Sequence, residues 1–393
     1  MDAEDLEVMC EREKQYINVP VPPGEMSPRE RFLNTMDFKP VDRVIDTEFG
    51  YWATTLQRWH EEGLPDYVKN NDQADIFFGF DTWMKKVPVT FGLCPFFEEE
   101  ILNDDGHSKI MLNREHVKCE VFSRSSEHNS MPHYLDFPVK DINSYRELFK
   151  DRLKPDLEKR IKVDLAEISQ QVAERNYILA NVAGSTAGKI RNWMGFEGIC
   201  MAIYDQPELL DEILADLEAQ MCSIASAITE HIAPDLVFWW EDIAFKNGPI
   251  VTPKFFNEKC GAVIGSVMSI YQKAGCHFSY SDCDGDFRKL IPGWLDNGVN
   301  IMFPLEVGAG IHPAQLRKEF PGIRMMGGVD KSALTQGRDS IKKELLNLKP
   351  IVDEGGYIPH VDHRVPKNVS YPDYLYYLEA KRDIFGIGNH ICD

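Results

Sequence analysis

The chain of 393 residues is 43% hydrophobic and 27% charged, which suits two average domains or one large α/β barrel. Its formal net charge of −20 argues against a nucleic-acid partner, since phosphate binding needs a basic stripe, and against anionic membrane surfaces. The longest apolar stretches, such as Leu236–Trp240, fall far short of the roughly 20 residues that span a bilayer. The acidic start Met1–Lys14 lacks the basic and apolar regions of a signal peptide, and nine cysteines without a CxxC pair read as a reduced set. A cytoplasmic protein is expected.

Residues 1–26 are charged and then Pro-rich (Val19-Pro-Val-Pro-Pro23), and read as an arm laid on the body or as a disordered tail. Ser27-Pro28-Arg29-Glu30 then opens a helix, with Ser27 as cap, Pro28 in the first turn and Glu30 completing a capping box. Apolar runs that read as buried strands follow at Arg43–Glu48, Tyr177–Val182, Leu236–Trp240, Cys276–Ser281, Ile301–Pro304, Ile323–Met326 and Tyr357–Pro359. Helical patterns fill the gaps at Pro207–Ile232, Pro253–Ala274, Phe287–Asn297, Pro313–Lys318 and Ile341–Asp353. Strands alternating with helices imply parallel βαβ units. The rhythm over residues 27–393 predicts a single (β/α)8 TIM barrel with an N-terminal arm. Residues 84–140, turn-rich with alternating stretches at Val87–Gly92 and His116–Ser123, predict an inserted β-rich segment or lid.

Barrel chemistry sits where strands end. Here Leu236–Trp240 runs into Glu241-Asp242, and Cys276–Ser281 into Asp282-Cys283-Asp284-Gly285-Asp286. Ile301–Pro304 leads to Glu306, Ile323–Met326 to Asp330-Lys331, and the last strand to His360-Val361-Asp362-His363-Arg364. Strand period places Asp282 and Asp284 on one side and Cys283 on the other, an arrangement suited to metal binding or acid–base work. The bland alternative is an Asx turn closing the strand. His277 lies about 16 Å upstream of Asp282 at 3.3 Å per residue, so it reads as structural. Gly184-Ser-Thr-Ala-Gly-Lys189 resembles a phosphate loop but is one residue short and lacks the following Ser/Thr.

Gly327-Gly-Val-Asp330 with Leu334 and Gly337, and His363-Arg-Val-Pro366 with Asn368 and Tyr374, resemble elements of the uroporphyrinogen decarboxylase superfamily. The opening Pro28–Arg43 is similar as well. The resemblance implies the same barrel and casts Gly184–Lys189 as a substrate-facing loop. True decarboxylases carry an Arg-rich M-R-Q-A-G-R-Y element where this chain has Asp46-Thr-Glu-Phe-Gly-Tyr-Trp52. An octa-anionic tetrapyrrole would be mismatched to that acidic run.

The other branch implied is that of zinc-dependent methyltransferases working with corrinoid proteins. Its ligand positions fall on Asp282, Asp284 and His363, with Glu241 beside them and His360 and Cys283 in reserve; this is a harder set than the family's His and Cys. The function the resemblance implies is therefore metal-dependent methyl transfer, with a divalent metal, zinc in the family manner, between a small methoxylated aromatic substrate and a corrinoid-binding partner protein. Expected catalytic residues are Glu241, Asp282 and Asp46, with Tyr51, Trp52, Trp193 and Tyr357 binding substrate. The alternatives are a uroporphyrinogen decarboxylase-like carboxy-lyase, in which Asp46 or Asp282 stabilises pyrrole N–H groups, and a non-catalytic barrel module. Either a monomer or a homodimer is compatible.

Overall fold

The structure is a computed structural model, and it describes residues 2–122 and 132–388. Residues 123–131 of the expected insert and 389–393 of the expected barrel lie outside the described residues. The N-terminal part holds helices α1 (Ala3–Glu13), α2 (Pro28–Met36), α3 (Ala53–Glu61) and α4 (Asn71–Phe77) and strand β1 (Met84–Lys86). Strands β2 (Glu100–Asp104), β3 (Ser108–Leu112), β4 (Lys118–Phe122) and β5 (His133–Asp136) come next, then α5 (Ile142–Leu148), α6 (Leu157–Arg160) and α7 (Leu165–Val172). Beyond these, β6 (Ile178–Gly184), α8 (Ala187–Asp205), α9 (Pro207–Thr229) and β7 (Leu236–Trp240) open the α/β alternation. The alternation continues through β8 (Ala244–Phe245), β9 (Gly248–Pro249), α10 (Pro253–Phe255), α11 (Ala262–Lys273), β10 (Phe278–Asp282) and α12 (Ile291–Asp296). It ends with β11 (Ile301–Phe303), α13 (Pro313–Glu319), β12 (Arg324–Met326), α14 (Arg338–Glu354), β13 (Tyr357–Ile358) and α15 (Tyr371–Ile384). The chain is thus α/β with parallel strands, and contacts divide it into two compact units.

The first unit comprises Met1–Lys85, Gln170–Leu179 and Ile301–Asp393. Its parallel strands β11, β12 and β13 pair with Ile301 opposite Arg324 and Met325 opposite Tyr357. The capping box at Ser27 forms as the sequence requires: the Ser27 hydroxyl accepts from the Glu30 amide at 3.2 Å, and Glu30 accepts from the Ser27 amide at 3.0 Å. The N-terminal arm carries a helix, α1, that buries Leu6, and Asn176 then holds Val19 through both backbone groups at 2.9 and 2.7 Å. Trp59 stacks on Tyr374 at 4.5 Å and the Tyr51 and Tyr374 hydroxyls meet at 2.7 Å, which ties α3 to α15.

One expected strand is corrected. Arg43–Glu48 joins no ladder, and side chains take the places of ladder partners. Asp81 accepts from Arg43 at two oxygens (2.7 Å each) and from the Asp46 amide at 2.8 Å, and the Glu48 carboxylate accepts from the Val361 amide at 2.8 Å. The Asp81 amide also donates to the Asp46 carbonyl at 2.9 Å, and a parallel bridge between Tyr51 and Val365 follows.

The second unit comprises Lys86–Ser169 and Ala180–Asn300. Strand β7 lies between β6 and β10 and pairs with both in parallel, with Trp240 opposite Asp282. Helix α9 buries Leu210, Ile213, Leu214, Leu217, Met221, Ile224 and Ile228, the i, i+3, i+4 stripe that makes a helix pack on one face. The helix expected over Pro253–Ala274 is interrupted by a π turn at Phe256–Gly261, beside which Asn297 sits so close that a Cβ at Gly261 would meet its Nδ2 at 2.6 Å. Strands β2 to β5 form a separate antiparallel sheet in chain order, whereas the alternating stretch expected at Val87–Gly92 forms none of the named strands.

In the first unit Asp46 is almost fully buried, with Lys381 at 2.9 Å and Arg382 at 2.7 Å. Burial pushes its carboxyl up, yet the two cations win and hold it below the usual range. Asp46→Asn strands two buried cations and is expected to cost about 3–5 kcal/mol, read by urea unfolding at pH 7. Because the folded pKa is depressed, this contribution should shrink as pH falls through the carboxylate range, narrowing the gap between wild type and variant.

Candidate functional site

In the first unit the run after Asp46 and the segment after β13 face each other. Period-2 geometry puts Asp46 and Glu48 on one side of the segment, but their fates differ. Asp46 is neutralised by Lys381 and Arg382. The buried Glu48 has Oε1 accepting from the Phe49 amide at 3.1 Å and the Val361 amide at 2.8 Å, while Oε2 has no hydrogen-bond partner among the described residues. Burial pushes this carboxyl up to about 7, against the pull of Lys381 and the two amides.

Beside Glu48 stands His360, whose Nδ1 is 4.0 Å from Oε1 and 2.8 Å from the Val361 carbonyl. Burial drives the His360 pKa down to about 3, so the ring is neutral at physiological pH and donates to that carbonyl. Phe303 packs on His360 at 5.5 Å, and Phe49 lies 6.2 Å from His360 and 5.1 Å from His363. Trp52 completes the wall 5.6 Å from His363, with the Arg364 guanidinium over its ring at 5.1 Å. Asp362 points elsewhere: its oxygens accept from the Val307 amide at 3.0 Å and the Lys331 amide at 3.2 Å, and burial raises its carboxyl to about 6.

In the second unit the loops after β7 and β10 are zipped together. The Glu241 and Asp242 amides donate to the Asp282 carbonyl at 3.0 and 3.2 Å, and the Asp286 amide donates to the Phe245 carbonyl at 2.9 Å. Gly285 is needed where they touch, since a Cβ there would meet the Ala244 carbonyl oxygen at 2.6 Å. Glu241 is taken up by the neighbouring loop between β6 and α8. Its carboxylate accepts from the Thr186 amide and hydroxyl (2.8 Å each) and the Gly188 amide (3.0 Å), at the start of α8. Burial nevertheless raises it to about 7. Asp242, held at φ 46°, instead meets the Arg191 guanidinium at 3.3 Å and accepts from the Asp284 amide at 3.4 Å.

The expected site residues therefore scatter in role. Asp282 and Asp284 are partly exposed and alternate with the fully buried Cys283, as strand period requires. Cys283 accepts from the Ile243 amide at 3.3 Å, and burial pushes its thiol well up, so it stays protonated. Tyr51, Trp193 and Tyr357 are core: Tyr51 bonds Tyr374, the Trp193 ring packs on Phe149 at 5.0 Å, and Tyr357 donates to the Gly327 carbonyl at 2.6 Å. Of the four aromatics expected to bind substrate, Trp52 is the one with a partly exposed ring. Glu48, missed in the sequence, was signalled by its two-residue offset from Asp46; Asp242 was hidden behind Glu241.

Asp282, Asp284, Glu241 and Cys283 belong to one unit and His360 and His363 to the other. Among the described residues no group of three or more His, Cys, Asp or Glu is arranged to hold a metal ion. The side chains' engagements agree with that: Glu241 is saturated by amide and hydroxyl donors, and the Cys283 thiol keeps its proton. The expected ligand set does not fit a metal as it stands. No helix among the described residues is long and apolar enough to cross a membrane.

No protein-family model matches the chain, and no curated protein matches it. Among solved structures, a methyltransferase from Methanosarcina mazei has a similar fold, with TM-score 0.58 and 15% identity over 92% of this chain and 100% of that one. A B12-independent methionine synthase from Shewanella sp. W3-18-1, solved with selenomethionine, aligns at TM-score 0.35 and 14% identity, covering 56% of this chain and 66% of its own. The α/β fold is thus shared with a methyltransferase structure over nearly its whole length.

The Glu241 grip leaves no room at Gly188, where a Cβ would fall 2.1 Å from the Glu241 carbonyl oxygen. Gly188→Ala should destabilise the protein by about 1–3 kcal/mol or more, measured as a lowered urea midpoint at unchanged m-value.

Proposed function

We propose that the chain is a methyl-transfer enzyme that moves a methyl group from a small methoxylated, flat substrate to a corrinoid carried by a partner protein. This reading keeps the (β/α)8 barrel expected from the sequence, and the fold likeness to a methyltransferase supports it. The observation that carries it is Glu48: a buried carboxyl with one oxygen unpartnered among the described residues, beside an aromatic wall of Phe49, Trp52 and Phe303. With its pKa near 7 the carboxyl is protonated in a large fraction of molecules at neutral pH. In the proposed step the methyl carbon leaves its oxygen for the nucleophile the corrinoid partner supplies. The Glu48 proton passes to the departing oxygen, so the substrate leaves as its alcohol or phenol. The Val361 and Phe49 amides then stabilise the carboxylate left behind, and solvent reprotonates it. Trp52 and Phe49 offer ring faces to a planar substrate.

The test is methyl transfer from a methoxylated aromatic compound to added reduced cobalamin, followed across pH. Wild-type rate should fall as pH rises above about 7, because the acid form of Glu48 is lost. Glu48→Gln should lower kcat by about 10²–10⁴-fold, the usual size of a general-acid contribution, and should lack the alkaline fall. An unchanged rate in Glu48→Gln, or no transfer from any methoxylated compound, would sink the proposal.

A further inference from the structure

The turn between β3 and β4 in the second unit is built to present one carboxylate. Asn113 Oδ1 accepts from the Glu115 amide at 2.9 Å and the Val117 amide at 3.0 Å, and its carbonyl accepts from the His116 amide at 2.8 Å. His116 is held at φ 61° with its ring 4.7 Å from Phe97, which the Arg152 guanidinium covers at 3.9 Å. Glu115 is thereby delivered to the first turns of α8. There it pairs with the Lys189 ammonium and accepts from Asn192 Nδ2 at 3.2 Å, its side chain only 15% exposed. Lys189, the lysine of the truncated phosphate-loop pattern, also sits 5.7 Å from the Trp240 ring at the end of β7, and Arg191 sits 5.4 Å from the same ring. Arg191 is only loosely engaged: Nη2 reaches Asn192 Oδ1 at 3.1 Å and Asp242 at 3.3 Å, and its buried Nε has no hydrogen-bond partner among the described residues.

We propose that Lys189 and Arg191, gathered over Trp240, form with the neighbouring Asn192 a binding site for the carboxylate of a small ligand, and that Glu115 occupies it as a tethered stand-in. An ammonium, an amide N–H and a guanidinium over an indole face are the donors a planar carboxylate takes. Lys189 and Arg191 are balanced by Glu115 and Asp242, with Asp284 coupled to Asp242. Moving Glu115 out removes the carboxylate paired with Lys189, and an incoming carboxylate restores it. A tethered competitor multiplies the apparent Kd of any free anion by one plus the ratio of its effective concentration to its own dissociation constant, so the insert sets both access and selectivity at this site. The site is independent of Glu48 and of the methyl-transfer reading.

Benzoate and its neutral analogue benzamide are the probes, titrated calorimetrically into wild type, Glu115→Gln and the Glu115→Gln/Lys189→Met double variant. Glu115→Gln should bind benzoate about tenfold more tightly than wild type, the worth of removing one charge-assisted competitor. Lys189→Met in that background should cancel the gain, and benzamide should distinguish none of the proteins. A Glu115→Gln variant no tighter than wild type, or a gain that survives Lys189→Met, overturns the proposal. Hydrogen exchange on unmodified protein guards against a misfolded variant. Amides of residues 112–118 should exchange faster with saturating benzoate and not with benzamide, and unchanged exchange also overturns it.

Discussion

A carboxylate buried beside an apolar run has to be met by a cation, by amide donors or by a proton, and this protein uses all three. Asp46 is met by Lys381 and Arg382, so charge complements charge and the group stays ionised. Glu241 is met by the amides and hydroxyl at the start of α8, and Asp362 by two amides with Lys331 3.6 Å away. Glu48 has two amides on one oxygen and no partner among the described residues on the other, so the proton becomes its remaining recourse. Which of these carboxylates is structural and which is chemically poised follows from that difference.

The same constraint shapes the backbone around the groups. Glycine at 188 lets the α8 start close on Glu241, and glycine at 285 lets the β7 and β10 loops touch. Phe256–Gly261 departs from α geometry where Asn297 crowds Gly261. In each case a close approach is allowed by a residue without a side chain, which sequence periodicity does not register.

Much of the architecture was legible. Strand Leu236–Trp240 and helix Pro207–Thr229 lie where periodicity and the Pro207 start place them, because long one-faced patterns override weak local preferences. The alternating exposure of Asp282, Cys283 and Asp284 follows from strand period alone. Arg43–Glu48 misled for a physical reason: its apolar run is buried, but Asp81 and Glu48 supply hydrogen bonds a neighbouring strand would have supplied. Tyr51, Trp193 and Tyr357 misled because a large aromatic near a strand end looks the same in sequence whether its face is open or covered.

The sequence by itself determined the α/β class, the strands and helices of the alternating C-terminal half and the presence of carboxylates at successive strand ends, because these depend on period and spacing along the chain. Only the tertiary structure decided which carboxylate keeps an unpartnered oxygen, since that depends on residues hundreds of positions away, such as Lys381 for Asp46 and Val361 for Glu48. It likewise delivered Glu115 to Lys189, a pairing across 74 positions that no local pattern encodes. Spacing fixes which groups approach a strand end, whereas burial and the choice of partner, which belong to the folded chain, fix their protonation and their reach.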